Sequence, residues 1–250
     1  MVSQLSDVRS RQSYPFDVER AARAVEKVNS SRTFLAGDRL MHRSFGTIRD
    51  CFARDSIAEN VVLLDAVWRT NLSMQPGTSE QIVASLEKQA DCLTGLLESL
   101  RVDDLERRPE TVVGVARKAQ PVILPPTSEQ GKPFRENYSF ATKFFHWVTR
   151  HHFPIVDSRA RKSINALQRA VHASPVVRAS TAEWGRLCYV EEYGRWVRFY
   201  SDLIAGLGGP DRERLLKADY DSQLGWLTAV ENSLLRVLDK VLWSQGGGSA

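Results

Sequence analysis

Two residues in the segment 138–163 carry side chains that could attack or stabilise an electron-poor carbon, namely Lys143 and Asp157. Lys143 stands in an apolar stretch between Phe140 and Phe144. If its amine is buried there, desolvation lowers its pKa, and the neutral amine is a nucleophile able to form a Schiff base. If the side chain reaches solvent, it is an ordinary surface charge. The residue types leave both interpretations open.

Asp157 comes directly before a predicted helix that opens with three cations, Arg159, Arg161 and Lys162. An aspartate at this position is typical of an N-cap, although Ser158 is equally suited to that role. Cations near the positive end of a helix dipole are unfavourable. Their clustering therefore indicates an anionic ligand, with a phosphate backbone as the natural candidate. A solvated helix face is the alternative interpretation of the same cations.

A third interpretation of this segment is a metal site built from its histidines, His146, His151 and His152. Their spacing is not an established ligand pattern, and no carboxylate lies among them. The three cysteines of the chain are far apart and form no CxxC pair, which disfavours zinc and iron–sulfur sites. We therefore expect no metal and no cofactor, and we expect a reducing compartment.

The elements that must position these residues are predicted to be helices. Apolar residues recur at three- and four-residue steps, whereas alternation typical of strands is nearly absent. Helices are expected near 16–29, 56–72, 82–100, 138–150, 158–172, 181–205 and 220–243. Thr78 and Gln81 fit a capping box at the start of the third helix. Breaks are expected at 74–77, 121–133 and 207–210, and the one extended candidate is Pro121–Leu124. The sequence therefore predicts an all-α fold.

The bulk composition is that of an ordinary globular protein. The 250 residues are 42% hydrophobic and 26% charged, with a net charge of +4 that permits a nucleic-acid partner without requiring one. We expect one helical unit over 1–245 that is a monomer, with 246–250 (GGGSA) interpreted as a linker. No signal-peptide pattern and no apolar run of about 20 residues is present, so we expect a cytoplasmic protein without a membrane partner.

The segment from Ser139 to Ser158 resembles a signature of the helix-hairpin-helix DNA glycosylases. It reads SFATK at 139–143 and PIVDS at 154–158. The pattern is most similar to the 8-oxoguanine DNA glycosylase branch and its bacterial OGG-fold members. The resemblance covers about residues 56–172 and implies two helical lobes around a cleft. It also implies that Lys143 attacks C1′ of the deoxyribose, while Asp157 assists departure of the base.

The resemblance also assigns residues to DNA binding. The helix ending at 72 closes with Arg69 and Asn71, and Asn71 would enter the gap left by a flipped nucleotide. Ser139 and the cations after Asp157 would contact the DNA backbone. Two features depart from the family: the stretch 136–139 has no glycine, and the step from Lys143 to Asp157 is several residues shorter.

The function implied by this resemblance is excision of a modified or damaged base from double-stranded DNA. The base would be flipped out of the stack and its N-glycosidic bond hydrolysed, with or without a lyase step through Lys143. Antiphage excision of a modified base (antiviral defence) and repair of oxidised DNA are both compatible with the residues. The rival interpretations are a non-catalytic helical module that binds DNA or a partner, and a metal-dependent nuclease that uses the histidines.

Overall fold

The computed structural model describes residues 13–68, 70, 77–123, 138–171, 189–225 and 229–247. Helices and their connections make up these ranges, and no strand occurs in them, so the all-α prediction is confirmed for the described residues. The helices are α1 (Val18–Asn29), α2 (Arg32–Ser44), α3 (Ile48–Cys51), α4 (Arg54–Trp68), α5 (Thr78–Lys88), α6 (Ala90–Glu98), α7 (Asp104–Arg107), α8 (Pro109–Ile123), α9 (Tyr138–Val148), α10 (Ser158–Val171), α11 (Tyr189–Gly206), α12 (Gly209–Asp221) and α13 (Leu234–Gln245).

Several helices begin where a short polar side chain satisfies the first free backbone amides. Asp17, Ser31 and Ser233 precede α1, α2 and α13, and each accepts a hydrogen bond from the amide three residues further on. Thr47 forms a reciprocal capping box with Asp50 at the start of α3. These caps fix the residues at which the four helices begin.

Three predicted elements differ from the observed ones. The helix expected over 82–100 is divided into α5 and α6 at Gln89, and α5 is preceded by Gly77 in a left-handed conformation, with no side-chain cap from Thr78. The extended segment expected from Pro121 is wrong for 121–123, which form the last turn of α8. The helix expected over 220–243 is interrupted between α12 and α13, where Gly225 has a φ of 93°.

The helix that carries Lys143 lies in the centre of the core. On α9, Phe140, Phe144, Phe145 and Trp147 are all buried, and the helix packs against α4 and α8. α10 packs along α13, which also packs against α1. Lys143 is therefore surrounded by aromatic side chains, and it lies near α13.

The residues that follow α13 pack against the rest of the fold. Gly246 follows α13 and donates its N–H to the carbonyl of Leu242. A Cβ atom at Gly246 would lie 1.9 Å from the backbone oxygen of Arg159, so only glycine fits against the first turn of α10. Residue 246, which the sequence assigned to a linker, thus contacts the helix that follows Asp157. Among the described helices, none is long and apolar enough to cross a membrane.

Candidate active site

Lys143 and Asp157 face each other although 13 residues separate them in the chain. Lys143 Nζ lies 4.0 Å from Asp157 Oδ2. This distance gives electrostatic attraction but is too long for a hydrogen bond. Lys143 is 5% exposed, whereas the Asp157 side chain is 20% exposed. The pair therefore lies at the edge of the core, with the amine on the inner side and the carboxylate towards solvent.

The loop between α9 and α10 is held in place by side chains that bind its backbone. Val156 N–H donates to Thr142 Oγ1 at 3.1 Å, which ties the residue before Asp157 to the residue before Lys143. His146 Nδ1 lies 2.7 Å from the oxygen of Phe153, and the hydroxyl of Tyr193 donates to the oxygen of Pro154 at 3.0 Å. Because these bonds are buried, they fix the path of the loop and hence the position of Asp157.

The turn that leaves α9 is made by two residues with left-handed backbone conformations. Arg150 has a φ of 50° and His151 a φ of 73°, in a region that non-glycine residues seldom occupy. His151 N–H donates to the oxygen of His146 at 2.6 Å and closes the turn. Each such residue costs about 1–2 kcal/mol relative to a right-handed conformation. The surrounding contacts of the aromatic core offset that cost and keep the loop short.

The environment of Lys143 lowers its pKa. Burial is the main cause, because removing the amine from water disfavours its charged form. Asp157 and Asp239 oppose the decrease, whereas the nearby Arg236 adds to it. The amine donates a hydrogen bond of 3.3 Å to the backbone oxygen of Trp68 and lies 5.7 Å from the centre of the Trp68 ring. These are the surroundings in which a lysine gains nucleophilic character.

Asp157 also serves as the N-cap of α10. Its Oδ1 accepts the N–H of Arg159 at 2.7 Å, and its backbone oxygen accepts the N–H of Arg161 at 3.0 Å. The capping role that the sequence left open is therefore present. Oδ2 is the oxygen that faces Lys143, so one carboxylate oxygen organises the helix while the other points to the amine. A single side chain thus combines a structural contact with a position suited to catalysis.

A network of fully buried charges from α2, α12 and α13 lies next to this pair. The guanidinium of Arg236 forms ion pairs of 2.5 Å with both Asp38 and Asp239. Lys240 Nζ lies 3.2 Å from Asp38 Oδ2 and 2.7 Å from Asp219 Oδ1. Three carboxylates thus surround two cations, which leaves one negative charge in excess when every member is ionised.

Asp239 is the carboxylate of this network whose ionised form is least favourable. Burial raises its pKa to about 6, Arg236 only partly offsets the increase, and Asp157 adds to it. Burial alone would also raise the pKa of Asp38, but Arg236 and Lys240 outweigh burial and hold that pKa below its usual value. Two carboxylates on one guanidinium therefore differ in their preferred protonation states.

Trp68 links this network to Lys143. Arg236 Cζ lies 4.6 Å from the centre of the Trp68 ring, and the same indole ring has Lys143 Nζ 5.7 Å from its centre. Phe34 lies between Trp68 and Trp243, with ring centres 6.4 Å and 5.6 Å away. The candidate site is therefore bordered by three partly exposed aromatic rings, which present flat apolar faces beside the lysine and the aspartate.

Two of the three histidines of the segment, His146 and His151, form part of the core, whereas His152 is partly exposed. His146 and His151 stack with ring centres 4.6 Å apart, and both are buried. Burial lowers the pKa of His146 to about 3 and lowers that of His151 well below 6.5, so both rings are neutral at physiological pH. Across the described ranges, no three His, Cys, Asp or Glu side chains are grouped so as to hold a metal ion. Packing accounts for these residues in the described structure.

The predicted DNA-binding residues differ in how far they are exposed to solvent. Ser139 lies partly buried at the start of α9, and Lys162 is exposed on α10. Arg159 is partly buried, with its Cζ 4.7 Å from the centre of the Trp243 ring, and Arg161 is also partly buried on the same helix. Arg69 and Asn71 lie outside the described residues, so the wedge predicted at the end of α4 remains a prediction.

The sequence reasoning missed the charged residues of α13. Arg236, Asp239 and Lys240 stand in an otherwise apolar helix, LLRVLDKVLW at 234–243, and share its buried face. Charges on the buried face of a helix are almost always paired. That pattern was the available signal, but the sequence could not identify the partners, because Asp38 lies 198 residues from Arg236.

The chain matches no family model, no curated protein and no solved structure.

Proposed function

We propose that this protein is a DNA glycosylase that excises a modified or damaged base from double-stranded DNA. The observation that carries the proposal is the pairing of a buried lysine of lowered pKa with a carboxylate 4.0 Å away, at the start of a helix rich in cations. Cleavage of an N-glycosidic bond passes through an oxocarbenium-like state, which a nearby carboxylate stabilises. Lys143 and Asp157 supply both groups that this chemistry needs.

The two residues have distinct roles in the proposed reaction. The flipped nucleotide would place C1′ near Lys143, and the neutral amine would form a bond to C1′ as the bond to the base breaks. The base leaves with the bonding electron pair and then takes up a proton. The carboxylate of Asp157 stabilises the positive charge that develops on the sugar. If water attacks instead, Asp157 accepts the proton of that water and an abasic site results.

The partner in this proposal is double-stranded DNA with a modified base. The cations in the first turns of α10 support a contact with the phosphate backbone beside Asp157, whose own carboxylate already caps this helix. The partly exposed rings of Phe34, Trp68 and Trp243 offer surfaces on which a base can stack. Oxidised-base repair and antiphage excision of a modified base both fit this arrangement.

The decisive experiment is a base-release assay. End-labelled duplexes would carry 8-oxoguanine, uracil, alkylated purines, or hydroxymethylated and glucosylated cytosine. We expect alkali-labile sites on one of these substrates with the wild-type protein and none with Asp157→Asn. Asparagine is as good an N-cap as aspartate, so this substitution removes the charge while preserving the start of α10. A borohydride-trapped adduct that is absent in Lys143→Met would identify Lys143 as the nucleophile.

One observation favours a second candidate, a non-catalytic helical module that binds DNA or a protein. Both residues of the pair make structural contacts: Asp157 caps α10, and Lys143 donates to the oxygen of Trp68. This candidate predicts that Asp157→Asn and Lys143→Met leave every activity of the protein intact. DNA binding without base release from any of the duplexes would favour it over the glycosylase.

A further inference from the structure

A second carboxylate, that of Asp239 on α13, lies near the Lys143–Asp157 pair. Its side chain is buried, and its Oδ2 accepts a hydrogen bond of 2.5 Å from the guanidinium of Arg236. Asp239 also interacts electrostatically with both members of the pair, since it attracts the amine and repels the carboxylate. The proposed reaction assigns roles to Lys143 and Asp157 and none to Asp239. A buried carboxylate near a lysine nucleophile nevertheless affects how readily the amine gives up its proton.

Arg236 connects Asp239 to the amine through one aromatic ring. Its Cζ lies 4.6 Å from the centre of the Trp68 ring, and Lys143 Nζ lies 5.7 Å from the same centre. Lys143 also donates to the backbone oxygen of Trp68 at 3.3 Å, so the amine is held at this residue. Arg236 is fully buried and binds both Asp38 and Asp239, and breaking a buried ion pair is costly. The charges of α13 are therefore held in place relative to the amine.

The two charges of α13 act on Lys143 in opposite directions. Burial has the largest effect on the amine and lowers its pKa. Among the charged groups, Asp157 and then Asp239 raise this pKa because they attract the ammonium, whereas Arg236 lowers it by repulsion. Asp239 has a larger effect than Arg236. The balance of these charges therefore decides how much of the lysine is a neutral nucleophile and how much is a cation.

Other titratable groups around Asp239 come from four neighbouring elements. Asp157 at the start of α10 and Asp38 on α2 both repel it and oppose its ionisation. Asp219 on α12 binds the other buried cation of α13. Tyr200 on α11 is fully buried, and burial raises its pKa well above 10, so its phenol stays neutral. Since burial raises the pKa of Asp239 to about 6, its charge changes close to neutral pH.

We propose that Asp239 is a positioning residue of the active site, which sets how much of Lys143 is in the neutral form that attacks C1′. The proposal rests on the proposed function in that the amine attacks a nucleotide sugar. An ionised Asp239 favours the ammonium form, whereas loss of that charge favours the neutral amine. Asp239 acts only through Lys143 and forms no bond to the substrate. The buried charges of α13 thus control the reactivity of the site as well as contributing to the fold.

Reductive methylation with formaldehyde and cyanoborohydride measures the neutral fraction of Lys143 without DNA. The neutral amine adds to the formaldehyde carbon, the adduct loses water to give an iminium ion, and hydride from cyanoborohydride reduces it to a methylamine. Peptide mass spectrometry gives the initial rate at Lys143 from about pH 6 to about pH 10. On the acidic side of the midpoint, above pH 6, we expect Asp239→Asn to react about tenfold faster than the wild type. Lys162, which is exposed on α10, should react equally in both proteins and serves as the internal reference.

Asp38→Asn is the matched control, because it removes the other carboxylate of the same guanidinium. The charges that act on Lys143 are those of Asp157, Asp239 and Arg236, so they stay in place in this variant. It should disturb the fold more than Asp239→Asn does, yet we expect its methylation profile to coincide with that of the wild type. Coincident profiles for Asp239→Asn and the wild type would overturn the inference. Equal shifts in both variants would also overturn it, because they would show a general disturbance of the network.

The same interaction can be measured at the carboxylate. Because the attraction is mutual, Lys143→Met should raise the pKa of Asp239 above its value of about 6. Carbon-13 NMR of protein with labelled aspartate follows this titration in the wild type and the variant. Methionine keeps the apolar bulk of the lysine stem, so the measurement does not require the Asp239→Asn variant to fold. An unchanged titration of Asp239 would overturn the inference.

Trapping on DNA separates this inference from the proposed function. A duplex with an abasic site presents the C1′ aldehyde directly, so a borohydride-trapped adduct at Lys143 requires no base release. We expect Asp239→Asn to speed this trapping on the acidic side of the profile, as it does with formaldehyde. If the formaldehyde profiles differ as expected but no duplex gives an adduct or base release, the effect of Asp239 on the amine stands and the proposed function fails. If base is released but the formaldehyde profiles coincide, the proposed function stands and this inference fails.

Discussion

Asp239 and Asp38 bind the same guanidinium, yet their replacement by asparagine should have opposite effects on stability. The pKa of Asp239 is raised to about 6 by burial, so its ionised form is unfavourable in the folded protein. Its contribution to stability is therefore greatest below about pH 4 and is lost as the pH rises through 6. Asparagine stays neutral at every pH, and its Oδ1 can still accept the hydrogen bond from Arg236.

The size of the effect follows from the difference between 3.8 and about 6, which corresponds to about 3 kcal/mol. The pKa of about 6 already includes the attraction to Arg236, so no further correction for the ion pair is needed. We therefore expect Asp239→Asn to raise the free energy of unfolding by up to about 3 kcal/mol at pH 8. The gain should disappear as the pH falls to about 4, where Asp239 of the wild type is itself protonated.

Asp38→Asn is the matched comparison. The pKa of Asp38 is held below its usual value by Arg236 and Lys240, so its ionised form is the favoured one in the fold. Its contribution is present above about pH 4 and is lost as the pH falls further. Removal of this charge takes one carboxylate contact from both Arg236 and Lys240, which keep Asp239 and Asp219 as partners, so we expect a loss of about 1–3 kcal/mol at neutral pH.

Urea unfolding of the wild type and both variants at pH 8, 6 and 4 measures these differences. The reasoning requires Asp239→Asn to be at least as stable as the wild type at pH 8, with Asp38→Asn clearly less stable. If the two variants are destabilised equally at pH 8, the assignment of the excess charge to Asp239 is refuted. A gain for Asp239→Asn that is the same at pH 4 and pH 8 would refute it as well.

Three further predictions concern Lys143 and the segment around it. Lys143→Met should leave the free energy of unfolding unchanged or raise it by up to about 2 kcal/mol, because it removes a buried charge of lowered pKa; in urea unfolding, Lys143→Ala should instead lose about 2–5 kcal/mol through a cavity. The pKa of His146 is about 3, so acid should destabilise the wild type progressively below about pH 6.5, by up to about 5 kcal/mol in all. A His146→Asn variant, whose amide can still donate to the Phe153 oxygen, should show a weaker acid dependence, and an identical dependence would contradict this account. Arg150→Gly should stabilise the protein by about 0.5–1 kcal/mol, because glycine adopts the left-handed conformation without strain, while Lys118→Gly within α8 should cost about 1 kcal/mol in the same thermal unfolding assay.

The helical character of this protein is determined locally and could be predicted from its sequence. Apolar residues at three- and four-residue steps form a continuous stripe only on a helix, and α1, α4 and α10 begin within about two residues of their predicted starts. The errors arose where a local signal was weak. Gln89 divides the helix expected over 82–100 without a proline or glycine, and α8 continues past Pro121 to Ile123.

The candidate site depends on contacts that no local pattern encodes. The residue types and the start of α10 drew attention to Lys143 and Asp157, but their separation of 4.0 Å results from the bond between Val156 and Thr142 and from the left-handed turn at Arg150. Burial of Lys143, which lowers its pKa, results from the packing of α9 within the aromatic core.

The buried charges show most clearly which features the sequence determines and which the tertiary structure decides. From the sequence, Arg236 and Lys240 are two cations on the apolar face of a helix, and they must have partners because an unpaired buried charge is too costly. Which partners they have is decided only when α2 and α12 pack against α13 and bring Asp38 and Asp219 to them. A helix sequence specifies which residues share a face, whereas the identity of the opposite face depends on the packing of segments that lie far apart in the chain.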